Sequence, residues 1–120
     1  MEAVIRNAVI ESTHLGWEDH GILTCYLYLD YGGSSQGFGG YALDEPTTDR
    51  SGKFAGRAGS ATGMRFIERI LKTVGAEKWE DLKGKHVRVR QDNCTVHSIG
   101  HFLEEKWFSP EEFCALSTRL

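Results

Sequence analysis

Arg88 and Arg90, in "HVRVRQDN", are followed at once by Asp92 and Asn93. On an extended strand, residues i and i+2 share a face about 7 Å apart, a span that suits the two phosphoryl groups of a diphosphate. A turn asparagine beside them offers an amide to a base edge. The rival reading is a solvated strand face closed by a turn residue. A second constellation is "YGGSSQGFGGYALD", residues 31–44, with glycines at 32, 33, 37, 39 and 40. Without Cβ atoms, backbone N–H groups can converge on an oxyanion, and Phe38, flanked by glycines, can turn its ring to a planar base. The segment lacks the lysine and the strand-to-helix setting of a phosphate loop, which excludes an ATPase reading and leaves a loose hairpin loop as its rival. In "LGWEDHG", Trp17 can stack while Glu18 and Asp19 accept from ribose hydroxyls; otherwise this is a polar hairpin whose tryptophan packs on the edge of the core.

Cys94, His97 and His101 raise the question of zinc. On a strand the two histidines share a face but stand about 13 Å apart, too far for one ion, and Cys94 points the other way. A helix would bring them together, and Ser98-Ile99-Gly100 disfavours one, so no metal is expected. A Cys–His nucleophilic pair has neither an orienting third residue nor an oxyanion element, so no catalytic residue is assigned.

The elements that must hold these groups follow from periodicity. In "ILTCYLYLDY", Leu23, Cys25, Leu27 and Leu29 alternate with Thr24, Tyr26, Tyr28 and Asp30, a half-buried strand whose tyrosine face hints at association. The opening "MEAVIRNAVIES" is a first strand with Val4, Ala8 and Ile10 on one face, and "GFGGYALD" resumes as a third whose glycines permit a bulge. Residues 45–59 read as a long exposed loop. "SATGMRFIERILKTVG" places Met64, Phe66, Ile67, Ile70, Leu71 and Val74 on one stripe of a helix, capped by Ser60 or Thr62 at its start and by Gly75 at its end. A short helical turn is expected around Trp79 and Leu82. "HVRVR", with Val87 and Val89 facing inward, and "CTVHSIGHFL" then form a hairpin. Ser109-Pro110-Glu111-Glu112 opens a short C-terminal helix. The sum is α+β: an antiparallel sheet of about five strands, the main amphipathic helix on one face and a short C-terminal helix.

With 120 residues the chain is read as one ligand-binding domain, residues 1–120. Fourteen Lys and Arg against 17 Asp and Glu give a net charge of −3, which argues against wrapping duplex nucleic acid. Three cysteines form neither an even framework nor a C-x-x-C pair, so a reducing compartment is expected; no secretory or membrane-spanning run is visible, and the cytoplasm is the expected location.

Taken in order, "LGWEDHGILT", "YGGSSQGFGGYALD", "TGMRFIERIL" and "RVRQDNCTVHSIGHFLEEKWFSP" cover most of the chain, and together resemble the first type of phage Thoeris anti-defence protein. That resemblance implies a non-catalytic sponge that binds a cyclic ADP-ribose isomer, and in some relatives cyclic oligonucleotides, without cleaving it. It implies no cofactor, and a homodimer or larger ring of dimers with pockets where protomers meet. Its pocket uses aromatic stacking on adenine, arginine contacts to phosphate and an asparagine. Asn93, after the R-x-R-x-D-N run, is the positional match; Trp17, Phe38, Tyr41, Arg65, Phe66, Arg88 and Arg90 supply the same chemistry within matching motifs, and Gln36, Gly37 and Gly39 complete the expected ligand-binding set. Residues 45–59 depart from the family's pattern, so Arg50 and Arg57 are not counted as ligands.

Two other classes remain in play on sequence. One is a protein-binding inhibitor of a host defence enzyme, its acidic surface and exposed aromatics meeting a basic partner. The other is a small phosphodiesterase with His97 or His101 as acid or base.

Overall fold

Cys25, Leu27 and Leu29 are buried while Tyr28 faces out, so the alternation in that segment does form a half-buried strand. The computed structural model describes residues 4–92 and 95–113. Its elements are β1 (Val4–Trp17), β2 (Leu23–Asp30), β3 (Ser35–Ala42), β4 (Asp44–Thr48), β5 (Phe54–Gly59), α1 (Ala61–Val74), β6 (His86–Asp92), β7 (Thr95–His101) and β8 (Trp107–Phe108). Six strands make one antiparallel sheet in the order β3-β2-β1-β6-β7-β8, and β4 and β5 form a separate hairpin. A helical turn opens at Pro110. The fold is α+β, as composition and periodicity imply.

The long strand β1 is the spine. Its first half pairs with β6, its second half with β2, and the pairing with β2 shifts between Ile10 and Ser12. Such a bulge strengthens the local twist, and the sheet curls until β3 meets β7. Inside the curl lie Ala8, Ile10, Leu27, Leu29, Val87, Val89 and Ile99, all buried. Helix α1 closes the open side by packing on β7 and β8. Phe66 and Phe108 meet edge to face at 5.0 Å, and Phe113 stands edge-on to both, the geometry that aromatic quadrupoles favour.

Helix α1 has the caps its sequence calls for. Ser60 Oγ accepts from the Gly63 N–H at 2.9 Å, and Gly75, at φ +86°, donates its N–H to the Leu71 carbonyl. Gly63 is needed for contact: a Cβ there would strike the Leu43 carbonyl, against which the helix start is seated. Trp79–Asp81 form the expected short turn and Leu82 is fully buried beneath it.

Three expectations are corrected. Residues 45–59 are not a loop: they carry most of β4 and all of β5, a hairpin beside the six-stranded sheet. Their turn-rich composition conceals two short strands fastened by Thr47 Oγ1 to the Gly56 carbonyl (3.0 Å) and turned by Asp49, whose Oδ1 accepts from the Ser51 and Lys53 N–H groups. Pro46 is tolerated since a two-stranded ribbon has only edges. Met64 does not join the buried stripe, and Val4 lies exposed beyond the core.

Candidate functional site

The glycine segment folds as β3, and its irregularity is a bulge. Tyr26 pairs with Gly39 and Thr24 with Ala42, so Gly40 and Tyr41 together stand opposite Cys25. Gly39 (φ +119°) and Gly40 (φ +88°) adopt backbone angles that side chains rarely reach. A Cβ on Gly39 would collide with the Cys25 carbonyl, and one on Gly40 would come 3.0 Å from the Tyr26 ring. Thr24 Oγ1 donates to the Tyr41 carbonyl at 2.8 Å and fixes the bulge. The bulge bends β3 where the curled sheet nearly closes.

At that seam lies a cleft of about 240 Å³. Gln36, Gly37, Phe38, Gly39 and Tyr41 form one wall, and Thr95, Val96 and Pro110 the other. Five members of the expected set are therefore brought together. Tyr41 supplies the exposed ring, tilted against Phe66 at 5.6 Å. Gly37 is exposed at an ordinary φ with nothing within 4 Å of where its Cβ would stand, so its bareness has no packing reason.

Other members fall elsewhere. Phe38 is only 3 % exposed and Phe66 2 %. Both rings stand edge-on to Phe108 and belong to the core, so neither is free to stack on a base. Trp17 is 72 % exposed at the end of β1, opposite Leu23, and lines no part of the seam. That exposure also overturns its packing on the core edge. Arg65 is exposed on α1, likewise outside the cleft lining. Asn93 lies outside the described residues, as does Cys94; the chain enters the cleft wall two residues after Asn93, at Thr95. The convergence of glycine amides on an oxyanion is overturned at Gly32 and Gly33, because Asp30 Oδ1 already accepts both N–H groups at 2.9 and 3.4 Å.

Arg88 and Arg90 do share a face of β6, as their spacing requires, but what they meet is protein. Both guanidinium groups lie on the Trp107 ring, 4.9 and 3.9 Å from its centroid. Arg88 also donates to the His101 carbonyl (2.9 Å), the Glu104 carbonyl (2.8 Å) and Glu105 Oε1 (2.9 Å). Its hydrogen bond, with smaller help from Trp107, holds the Glu105 carboxyl below its ordinary value. Arg90 makes no such bond among the described residues.

Thr95, Val96, Pro110 and Trp107 escape sequence reasoning. Neither the spacing nor the sequence neighbours of the first three mark a site, and only the curl of the sheet delivers them to the seam. Trp107 could have been suspected from "KWF" following two glutamates, an aromatic near a strand bearing arginines. Two further clefts flank the sheet, one of about 450 Å³ lined by Glu18, Thr24, Tyr26 and Tyr28 among others, and one of about 310 Å³ beside Tyr31 and Phe102. Among the described residues no helix is long and apolar enough to cross a membrane. Comparisons with protein-family models, curated proteins and solved structures found no match.

Proposed function

We propose that this chain is a non-catalytic anti-defence protein of phage origin that captures a cyclic ADP-ribose isomer in the seam cleft and withholds it, intact, from a host immune sensor in the cytoplasm of the infected cell. The observation that carries the reading is the meeting of Gln36–Gly39 and Tyr41 with Thr95 and Val96 across one crevice. A cyclic nucleotide sugar presents a flat base, hydroxyls and two phosphates. Tyr41 offers a ring, Gln36 an amide and Thr95 a hydroxyl, while bare Gly37 lets the ligand approach backbone. Asn93, two residues before Thr95, is the amide the resemblance supplies.

At about 240 Å³ the crevice is smaller than the roughly 300–1,000 Å³ of sites that enclose such ligands. The reading therefore includes a second copy of the chain closing over the exposed part, as a homodimer or larger ring of dimers, with cationic groups such as Arg65 or Arg90 meeting phosphate from across that boundary. Burial between copies would strengthen each charged contact and slow release. Nanomolar capture requires about −12 kcal/mol and no nucleophile.

The test is titration calorimetry of the purified protein against a panel of cyclic ADP-ribose isomers and cyclic oligonucleotides, followed by heat denaturation and chromatography of the released ligand. Submicromolar binding with intact recovery is expected. Absence of binding across the panel overturns the reading, and recovery of a cleaved product replaces the sponge with a phosphodiesterase. The exposed Trp17 keeps the alternative of a protein-binding inhibitor of a host enzyme; capture of such an enzyme by ligand-free protein would favour it.

A further inference from the structure

Between the second half of α1 and β8 runs an open groove of about 610 Å³, lined by Arg69, Lys72, Thr73, Glu105, Lys106 and Trp107. In a chain of net charge −3, three cations against one carboxylate depart from the average surface. That carboxylate does not neutralise them, because Glu105 is bonded to Arg88 and lies within 3.4 Å of the Trp107 indole N–H. Arg69 is pinned in place, its guanidinium 4.9 Å over the Phe108 ring and donating to the Trp107 carbonyl at 3.4 Å. Among the described residues, Lys72 and Lys106 reach loose acidic neighbours, Glu68 at 3.9 Å and Glu104 at 3.6 Å.

We propose that this groove binds an acidic peptide segment of a partner protein, laid along β8 with its carboxylates on Lys72, Lys106 and Arg69 and an apolar side chain on Trp107. The placement of the cations and the α1 dipole select an extended segment over a compact anion. The cations are spread across the groove, Arg69 and Lys72 on α1 and Lys106 next to Trp107 of β8, a layout for charges strung along a chain rather than gathered on one group. Lys72 and Thr73 sit in the last turn of α1, where the helix dipole is negative and repels a concentrated dianion close to the backbone. Carboxylates spread along a peptide meet ammonium groups held away from that end on long side chains. No groove residue lines the seam cleft, so the proposal stands or falls independently of cyclic nucleotide capture.

The test is fluorescence anisotropy with a fluorescein-labelled decapeptide of glutamate carrying one central leucine, against the same peptide with glutamine for glutamate. Binding of the acidic peptide alone is expected. Lys72→Gln with Lys106→Gln should weaken it about tenfold, the effect of two partly exposed ion pairs. Lys78→Gln with Lys83→Gln removes equal charge from exposed positions outside the groove and should change little. Lys72 and Lys106 are 77 % and 50 % exposed, so folding is spared. The proposal is overturned if the acidic peptide does not bind, if both double variants weaken it equally, or if equimolar inorganic tripolyphosphate displaces it, the mark of a small-anion site.

Discussion

Asp44 receives Arg57 on one carboxylate oxygen, Oδ1, which accepts from Nε at 3.1 Å and Nη2 at 2.9 Å, while Oδ2 accepts from the Leu23 N–H at 3.1 Å. One buried side chain thereby ties the β4–β5 hairpin to the start of β2. The Arg57 hydrogen bond, ahead of the smaller help from the Leu23 N–H and the Arg57 charge, holds the Asp44 carboxyl below its ordinary 3.8. A depressed carboxylate contributes stability that is present above its unfolded value and lost as pH falls through its folded one. Thermal unfolding from pH 7 down to pH 2 should therefore show Tm falling below about pH 4, with Glu105 and Asp49, also depressed, adding to the slope. Asp44→Asn should lower Tm at pH 7 and flatten that acid limb; an unchanged limb would mean the pair does not hold the hairpin.

Gly39 and Gly37 separate folding from binding. Gly39→Ala places a Cβ against the Cys25 carbonyl at a φ of +119°, and should cost more than about 3 kcal/mol in urea unfolding, through both strain and collision. Gly37→Ala meets nothing and should stay within about 0.5 kcal/mol of the parent. In calorimetry with a cyclic ADP-ribose isomer, Gly37→Ala should nonetheless weaken binding, because its methyl group enters the crevice. Parental affinity in Gly37→Ala would move the ligand away from β3.

Arg88 and Arg90 look equivalent in sequence and are not. Arg88→Ala removes three hydrogen bonds that hold residues 101–105, two of them to the His101 and Glu104 carbonyls, at a cost of about 2 kcal/mol. Arg90→Ala loses a cation–π contact worth about 0.5–1 kcal/mol. Urea midpoints for the two variants check the order. If Arg88→Ala proves the milder change, the loop is held by other contacts.

What could be read from sequence were features set by local chemistry. Ser60 and Gly75 bracket α1 because capping depends on a few adjacent residues, and the inward Val87 and Val89 follow from period-2 alternation. The hairpin at 44–59 was hidden because its anchor, Asp44 with Arg57, spans thirteen residues and leaves no periodic trace. The same limit applies to the site. Phe38 between glycines suggests an offered ring, yet the pleat turns it inward and the bulge turns the next aromatic, Tyr41, outward. Whether Arg88 meets a ligand or a loop is decided by Trp107, which lies nineteen positions away in the sequence.

Cys25 gives a reporter for the bulge itself. Its thiol is buried between β1 and β3, and burial pushes its pKa up to about 12. At pH 8 the reactive thiolate is then about one part in ten thousand, before any steric barrier is counted. In a Cys94→Ser, Cys114→Ser background, Cys25 should resist a disulfide reagent in the native state and react at once in denaturant. Native-state labelling then proceeds only through openings of β2 from its neighbours, so its rate measures their free energy. Gly39→Ala should accelerate labelling by orders of magnitude, whereas Gly37→Ala should not. A ligand seated against β3 should slow labelling in proportion to its occupancy, since binding favours the closed form. Rapid reaction of Cys25 in the unliganded parent would show the β2–β3 bulge to be open in solution, leaving the seam crevice without its glycine wall.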